Sequence, residues 1–216
     1  GKRKDYNRNK LKCQSDKRVY RRIREINMII VPPERKIYIA GDLTEELTTD
    51  IIQSIHKLDR TEEVIDKYED NPGFDYEKTN YPPMEIVIDS YGGDIYSMFA
   101  IYDAMTQASC PVHTLALGKV MSASVLLLAA GEKGKRRSGR STTFMIHQAS
   151  ITDMSGKPKY IADYSKHISK LDKVFYREML SLSIKTEDWE EICEENDDYY
   201  FNAVAAMSYG IIDEII

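Results

Sequence analysis

The stretch EIVIDSYGG, residues 85 to 93, is a short apolar run with β-branched side chains, followed by a polar turn that contains two glycines. Downstream, apolar side chains recur at the spacing of one helix face at Ile95, Met98, Tyr102 and Met105. This order predicts a buried strand, a glycine turn and an amphipathic helix. When a helix connects two neighbouring strands, the strands run parallel to each other. The stretch is therefore typical of a parallel sheet.

The same order of strand and helix occurs at three further places along the chain. The strand and helix pairs are residues 36 to 40 with 47 to 58, 112 to 117 with 122 to 130, and 144 to 146 with about 160 to 183. Asp42 is the predicted N-cap of the first of these helices, with Glu45 three residues later in the capping-box position. Strands that alternate with helices predict an α/β fold, with a largely parallel sheet and helices packed on it.

The composition is that of one globular domain. A chain of 216 residues can bury one sizeable core, and its apolar run at residues 123 to 130 is much shorter than the ~20 residues of a membrane-spanning helix. The charged N-terminus has no apolar stretch behind it, which predicts a cytoplasmic protein, with an organelle or the cytoplasm of a phage-infected host as the alternatives. Three widely separated cysteines, Cys13, Cys110 and Cys193, favour plain thiols over a disulfide framework or a cysteine metal site.

Positive charge is concentrated at the N-terminus. Residues 1 to 26 hold eleven Lys or Arg against three Asp or Glu, whereas the whole chain has a net charge of -5. Such an arm contacts nucleic acid or is a solvated tail, and the lack of a stacking surface or a zinc-finger spacing after it favours the tail. We therefore expect a basic arm at residues 1 to 26 and a single domain at 27 to 216. A stretch at about 59 to 83 that mixes acidic residues with Asn, Pro and Gly is expected to be a surface insertion.

Three candidate functional groups fall where strands end and helices begin. Ser122 precedes an apolar helix, His147 directly follows its strand, and Gly92-Gly93 follows the strand that ends at Asp89. The first turn of a helix presents unpaired N–H groups, and glycine allows the backbone to turn an N–H toward a ligand. However, a serine before a helix is commonly a cap, a histidine there is often structural, and two glycines often make only a tight turn. The spacing leaves both interpretations open, and it does not match the G-x-S-x-G elbow of the α/β-hydrolases.

Three longer segments carry a resemblance to a known family. They are IDSYGGDIYSMFAIYDAM at 88 to 105, GKVMSASVLLLAAGEKGKRRSGRSTTFMIHQ at 118 to 148, and MSYGIIDEII at 207 to 216. In this order they resemble ClpP, the proteolytic subunit of the ATP-dependent Clp protease, which is a self-compartmentalised serine peptidase. The resemblance extends with gaps over most of residues 27 to 216. It implies the ClpP/crotonase-like α/β fold of repeated β-β-α units, with a largely parallel sheet, packed helices and a protruding strand-helix handle.

The resemblance also implies a Ser-His-Asp site. The nucleophilic serine of the family stands nine residues before the glycine that closes LLLAAG, and that position is Ser122 here. The general base of the family is the histidine of MIHQ, which is His147. The third member is an aspartate shortly before the YGIID tail, which corresponds to Asp198, with the adjacent Asp197 as the alternative.

The backbone N–H groups of Gly93 and Ala123 are the oxyanion hole that the resemblance implies, and it implies no metal or organic cofactor in this chain. A second serine, Ser124, follows Ser122 by two positions. Two positions along a helix correspond to a rotation of ~200°, so we expect the two hydroxyl groups to face opposite ways.

The sequence departs from the family pattern around these residues. The usual SPGG turn is Ser90-Tyr91-Gly92-Gly93 here, and the Gln-Pro that usually follows the histidine is Gln148-Ala149. A proline presets φ in its turn, so both turns lose a local constraint. Met121 and Ala123 flank the serine where the family usually has a small residue before it and Met after it, which predicts an altered pocket wall.

The resemblance further implies an assembly. ClpP-like subunits form heptameric rings that stack face to face into a tetradecamer and enclose the active sites. The handle that joins the rings corresponds to residues 150 to 183, where Tyr160, Ile161, Ile168, Leu171 and Phe175 face either a partner ring or their own subunit. The implied partner is a hexameric AAA+ unfoldase of the ClpX or ClpA type, which binds ATP and delivers unfolded polypeptides; no membrane or nucleic-acid partner is implied. This chain has no G-x-x-x-x-G-K-[ST] loop of its own.

Three other functions are weighed beside this one. A crotonase-type acyl-CoA enzyme has a related fold but does not need the set Ser122, His147 and Asp198. A catalytically silent ring subunit is compatible with the altered turn at Tyr91. A phage capsid-maturation protease of ClpP-like fold acts on one scaffold protein without an ATPase partner.

Overall fold

The computed structural model of the chain describes residues 33–59, 81–151, 154–183, 189–195 and 197–216. The unit Arg35–Ile216 is compact. The predicted basic arm at residues 1 to 26, and residues 60 to 80 of the predicted insertion, lie outside the described residues.

The elements alternate between strand and helix, as predicted. In the described ranges and in chain order, they are a 3-10 helix Pro33–Arg35, β1 Lys36–Leu43, α1 Glu45–Asp59, β2 Met84–Gly93, α2 Ile95–Gln107, β3 Val112–Met121, α3 Ala123–Ala129, β4 Arg136–Ser138, β5 Thr143–Ile146, α4 Pro158–Leu182, α5 Trp189–Glu195, β6 Tyr199–Asn202, α6 Ala203–Ser208 and β7 Glu214–Ile215. All four strand and helix pairs that the sequence predicts are present, with boundaries that differ by a few residues.

The sheet is largely parallel, as predicted. Its main path has the order β1-β2-β3-β4-β7, and every pairing along this path is parallel. The first part of β3 pairs with β4, and its last residues, Lys119 to Met121, pair with β5, which is followed by the antiparallel strand β6. The pairing of β1 with β2 shifts register after Ala40, and that of β2 with β3 shifts after Ile88. The long strands β1, β2 and β3 thus each form two successive pairing segments before the helix that follows them. This arrangement accounts for the expected β-β-α unit.

The core lies between the sheet and its helices. Ile86, Ile88 and Ala116 in the central strands are inaccessible to solvent. Helix α3 contacts β2, β3, α2 and α4, and all seven of its residues are buried. Because α3 has protein on every side, its sequence is apolar all round instead of amphipathic. No helix in the described part of the chain is long and apolar enough to cross a membrane.

The predicted N-cap of α1 is wrong. Asp42 still belongs to β1, where it pairs with Gly92, and α1 begins at Glu45. Thr44 takes the capping position instead, since its hydroxyl accepts a hydrogen bond from the Leu47 N–H at 3.3 Å. The reason is that β1 continues beyond its apolar run through the register shift after Ala40, so the helix starts two residues later than the cap pattern indicates.

The predicted handle contains a long helix, α4, and the described residues between Ser150 and Lys157 include no strand. The apolar residues of this helix divide into two sets. Ile168 and Phe175 are buried within the subunit, whereas Tyr160 and Ile161 are exposed. The sequence pattern predicts one apolar stripe at these positions. In the structure, the first two turns of α4 extend beyond the surface on which the later turns pack.

The C-terminal tail is held by an ion pair with β4. The Asp213 carboxylate accepts hydrogen bonds from Nε and Nη2 of Arg136 at 2.9 and 2.7 Å, and from the N–H groups of Gly134 and Arg136 at 2.7 and 3.0 Å. Nη1 of Arg136 donates to the Leu182 carbonyl at 2.8 Å. Because Arg136 is buried, this network joins β4, the end of α4 and the tail.

Asp213→Asn is expected to lower the free energy of unfolding at pH 7 by about 3 kcal/mol, because it leaves the buried Arg136 charge without its partner. Burial raises the pKa of Asp213, but the hydrogen bonds from Arg136 and the backbone outweigh burial and hold it below the ordinary value of 3.8. A carboxylate with a lowered pKa stabilises the fold above its ordinary pKa, and this contribution is lost as pH falls through the folded pKa. The effect of the substitution should therefore be full at pH 7 and shrink below about pH 4.

Urea unfolding of both proteins at pH 7 and pH 3, at one fixed protein concentration, measures this difference. Asp163→Asn is the matched control, because Asp163 pairs with Lys159 on the exposed face of α4. We expect this control to change stability by no more than about 0.5 kcal/mol. An equal loss in the two variants contradicts a specific role for the tail network.

Candidate active site

Ser122 forms a sharp turn between β3 and α3. Its backbone has φ 52° and ψ -129°, and among the described residues other than glycine it alone has a positive φ. Such a conformation is strained for a residue with a side chain, and strain of this kind is concentrated at functional sites. The Ser122 N–H donates to the Met145 carbonyl at 2.7 Å, which holds the turn against β5. Ser122 occupies the N-cap position of α3, but its hydroxyl makes no capping hydrogen bond with the helix.

The predicted glycine turn belongs to β2, which continues beyond Asp89 to Gly93, and its two glycines allow this backbone to pack against Ser122. A Cβ atom on Gly92 would lie 2.7 Å from the Met121 carbonyl oxygen and 2.8 Å from Cβ of Ser122. A Cβ atom on Gly93, whose φ is 143°, would lie 2.6 Å from the backbone of Leu43. Both positions therefore need glycine, because the backbone of this turn lies in direct contact with β1 and with the serine turn.

The structure brings Ser122, His147 and Asp198 together in one hydrogen-bonded chain. Nε2 of His147 lies 2.8 Å from Oγ of Ser122, and Nδ1 lies 3.1 Å from Oδ1 of Asp198. An imidazole between a hydroxyl and a carboxylate is the arrangement in which histidine removes the hydroxyl proton and the carboxylate orients the ring. The hydroxyl of Ser122 is therefore placed to act as an activated nucleophile.

Strand pairing explains why these three residues meet. Met121 pairs with Met145 in the parallel ladder of β3 and β5, so Ser122 and His147 both leave the same edge of the sheet. In the antiparallel ladder of β5 and β6, Ile146 pairs with Tyr199, and one further step places His147 opposite Asp198. The carboxylate that contacts the imidazole ring is that of Asp198, and the alternative Asp197 lies one residue farther from β6.

Tyr200, which no sequence pattern singles out as a site residue, contacts Asp198. The Tyr200 hydroxyl donates to Oδ2 of Asp198 at 3.3 Å, and the negative charge of Asp198 raises the pKa of Tyr200. The two side chains are two residues apart at the start of β6 and therefore share a face. The alternation of these side chains is visible in the sequence. Only the pairing of β6 with β5 shows that this face lies beside His147.

Ser124 faces away from the groove, as predicted. Its hydroxyl accepts from the Met121 N–H at 2.9 Å and donates to the Met121 carbonyl at 2.7 Å. Ser124 is inaccessible to solvent, whereas Ser122 is half-buried. Ser124 thus closes the end of β3, and Ser122 is the hydroxyl available to a ligand.

A groove of about 820 Å³ runs past Ser122 and His147. Gly93 and Ala123, the two residues expected to donate to an oxyanion, also line it. Many other lining side chains are apolar or aromatic, and those that come from α2 and α4 are Ile95, Met98, Tyr160, Tyr164, Ile168 and Phe175. Three carboxylates, Asp42, Asp94 and Asp172, also line the groove.

The turn that lacks the proline of the family pattern is held by contacts with β3. Nζ of Lys119 lies 4.4 Å from the centre of the Tyr91 ring and donates to Oδ1 of Asp89 at 2.7 Å. This hydrogen bond lowers the pKa of Asp89 and raises the pKa of Lys119. Lys119 of β3 therefore contacts both Tyr91 and Asp89 in the last part of β2.

Metal binding finds no support in the described ranges. They contain no group of three or more His, Cys, Asp or Glu side chains that could hold a metal ion. Both ring nitrogens of His147 are engaged, by Ser122 and by Asp198.

Gly92→Ala is expected to slow the reaction of Ser122 with a fluorophosphonate by about 100-fold, because the added methyl group displaces the serine turn from His147. Gly134→Ala is the matched control: Gly134 also has a positive φ, of 87°, but no atom lies within 4 Å of an added Cβ. The labelling rate of the control should remain that of the wild type. Thermal unfolding of both variants separates local displacement from loss of the fold, and equal labelling by both variants contradicts the packing argument.

Comparison with known proteins identifies the family. A sequence model of the Clp protease family matches residues 75–216. "ATP-dependent Clp protease proteolytic subunit 2" of Treponema pallidum (strain Nichols) is 28% identical over 186 residues, which are 84% of this chain and 82% of the relative. "ATP-dependent Clp protease proteolytic subunit 1" of Prochlorococcus marinus (strain MIT 9312) is 30% identical over 187 residues, or 85% of this chain and 84% of the relative. The corresponding subunit of Porphyromonas gingivalis is 34% identical over 134 residues, or 62% of this chain and 59% of the relative.

A solved structure supports the same fold. A mutant of ClpP1 from Listeria monocytogenes matches with a TM-score of 0.67 and 24% sequence identity, covering 85% of this chain and 91% of that chain. The fold class that the resemblance implied is thereby confirmed, and so is the resemblance itself. The chain belongs to the Clp protease family, as a divergent member of the ClpP type.

Proposed function

We propose that this Clp protease subunit is a serine endopeptidase that cleaves unfolded polypeptides into short peptides, with Ser122, His147 and Asp198 as its catalytic triad. The observation that carries the proposal is the continuous hydrogen-bonded chain from Oγ of Ser122 through His147 to Asp198, at the wall of an open groove. The strained turn at Ser122, whose hydroxyl does not cap α3, supports the same role.

The mechanism follows from these side chains. As Ser122 attacks a peptide carbonyl, His147 takes the hydroxyl proton and Asp198 stabilises the imidazolium that forms. The backbone N–H groups of Gly93 and Ala123 receive the negative charge on the carbonyl oxygen, a contribution of about 2.7 to 4 kcal/mol for each donor. His147 then protonates the leaving amine, and water hydrolyses the acyl-enzyme by the same steps.

The groove suits an extended peptide. Its apolar and aromatic side chains, such as Met98 and Phe175, can bury side chains of the substrate near Ser122. The carboxylates Asp42, Asp94 and Asp172 make the wall of the groove acidic. The mechanism uses the side chains and backbone of this chain alone, and no metal or organic cofactor has a part in it.

We propose that the active particle consists of stacked heptameric rings and works with an AAA+ unfoldase of the ClpX or ClpA type. The relatives are named ATP-dependent proteolytic subunits, and this chain lacks a phosphate-binding G-x-x-x-x-G-K-[ST] loop, so ATP hydrolysis belongs to the partner. The exposed side chains Tyr160 and Ile161 on α4 are candidates for a contact between rings. The basic arm at residues 1 to 26 would lie near the axial pore, and an ATP-driven partner is consistent with a cytoplasmic location.

Labelling with a fluorophosphonate probe tests the nucleophile. We expect one covalent adduct on the wild-type protein, located on Ser122 by mass spectrometry, and no adduct on Ser122→Ala. Ser124→Ala is the matched control, because Ser124 lies two residues away and its hydroxyl is buried; this variant should keep the adduct. An adduct that persists in Ser122→Ala overturns the assignment.

The alternative functions predict other results, in the labelling experiment or in a further assay. An absence of labelling on a particle of many subunits, as sized by light scattering, favours a catalytically silent ring subunit. Turnover of an acyl-CoA that survives Ser122→Ala favours a crotonase-type enzyme. Cleavage restricted to one scaffold protein, without an ATPase partner, favours a capsid-maturation protease.

A pair of neighbouring aspartates tests the third member of the triad. Asp198→Asn is expected to lower kcat for a short fluorogenic peptide by about 10⁴-fold, because the amide no longer holds the imidazole in the required tautomer. Asp197→Asn changes charge by the same amount one residue away and should alter kcat by less than about 2-fold. The opposite order of the two effects would contradict the register that places Asp198 beside His147.

A further inference from the structure

The segment that follows His147 is held by two side chains of α4. The Ala149 N–H donates to both carboxylate oxygens of Asp172, at 3.0 and 3.3 Å. The Tyr176 hydroxyl donates to the carbonyl of His147 at 3.4 Å. Because Asp172 and Tyr176 are four residues apart, they lie on one face of the helix. The backbone on either side of Gln148 is therefore tied to one face of α4.

The contact at Ala149 depends on a departure from the family pattern. The family usually has proline at this position, and proline has no N–H to donate and a fixed φ. Ala149 supplies the missing donor, but it leaves the backbone free to rotate. A side chain from another element must then provide the constraint that a proline ring supplies locally, and Asp172 is in place to do so.

Asp172 lines the groove and accepts hydrogen bonds from the Ala149 N–H. It is half-buried, and no Lys or Arg among the described residues forms an ion pair with it. Burial raises its pKa, and the negative charge of Glu190 on α5 acts in the same direction, whereas the Ala149 N–H and the charge of His147 lower it. A half-buried carboxylate without a cationic partner is costly for the fold. The donor that this carboxylate contacts is the Ala149 N–H, so the contact joins α4 to the segment that follows the proposed catalytic base.

We propose that Asp172 is a positioning residue, which holds the Ala149 N–H so that the imidazole of His147 stays within hydrogen-bond distance of Ser122. The proposal rests on the proposed serine-peptidase function. Asp172 acts through the backbone of residues 147 to 149 and touches neither Ser122 nor Asp198. A shift of the histidine backbone by about 1 Å is enough to slow a reaction of this kind by about 100-fold.

Two substitutions at Asp172 separate its acceptor atoms from its charge. Asp172→Ala removes the acceptor and should lower kcat for a short peptide by about 10-fold or more, with KM changed by less than about 2-fold. Asp172→Asn keeps an oxygen that can accept from Ala149 and should retain at least about half of kcat. Asp163→Ala, on the exposed face of the same helix, is the control and should match the wild type.

A double-mutant cycle with Ala149→Pro identifies the route by which Asp172 acts. Proline at 149 removes the donor, so in this background Asp172→Ala should lower kcat by less than about 2-fold. An equal effect of Asp172→Ala in both backgrounds overturns the proposal, because Asp172 would then act on something other than the Ala149 N–H. Unchanged kcat in Asp172→Ala overturns it as well. A third result also overturns the proposal: Asp172→Ala changes only the preference for substrates with Lys or Arg. Asp172 would then be a specificity residue.

Two measurements are independent of turnover. Thermal unfolding and particle mass show whether each variant folds and assembles, and a variant is compared only where both match the wild type. Hydrogen exchange of the Ala149 amide should be faster in Asp172→Ala, whether or not the protein cleaves peptides. Wild-type protein that does not react with a fluorophosphonate refutes the proposed function, whereas unchanged exchange at Ala149 refutes the positioning contact.

Discussion

The pairing of the last residues of β3 with β5 is the interaction on which the rest of the site depends. After Ala116, β3 leaves β4 and pairs with β5 through Lys119, Val120 and Met121. This second pairing brings the strand to the point where Ser122 turns into α3, and it places His147 at the same edge of the sheet. The antiparallel strand β6 then returns Asp198 to His147. Backbone ladders, which are rigid and specific in register, thus position three residues that are far apart in sequence.

The two turns beside the site are held by side chains from other elements. Lys119 of β3 contacts the Tyr91 ring, and Asp172 of α4 accepts from the Ala149 N–H. The family pattern has proline at both turn positions, where a ring restricts φ without any partner. In this chain the geometry of the turns therefore depends on β3 and α4. A substitution in either element can disturb the site without touching a reacting group.

Much of the fold was predictable, because local patterns suffice to define a strand, a glycine turn and a helix. The exact ends of the elements were not, since pairing extends strands into polar sequence. Asp42 shows this: it has the character of a cap, yet pairing with Gly92 keeps it in β1, and Thr44 caps the helix instead. The apolar stripe of α4 is a second case, because Ile168 packs within the subunit and Tyr160 does not.

The sequence by itself determined the order of strands and helices, the burial of α3, and the positions of Ser122 and His147 at the ends of their strands. It did so because periodicity and turn chemistry are local properties of the chain. Only the tertiary structure decided that Asp198, and not Asp197, faces the imidazole, and that the hydroxyl of Ser122 is free of the helix it precedes. It also brought Tyr200 and Asp172 to the site. These features depend on strand register and on contacts between distant segments, about which a local pattern carries no information.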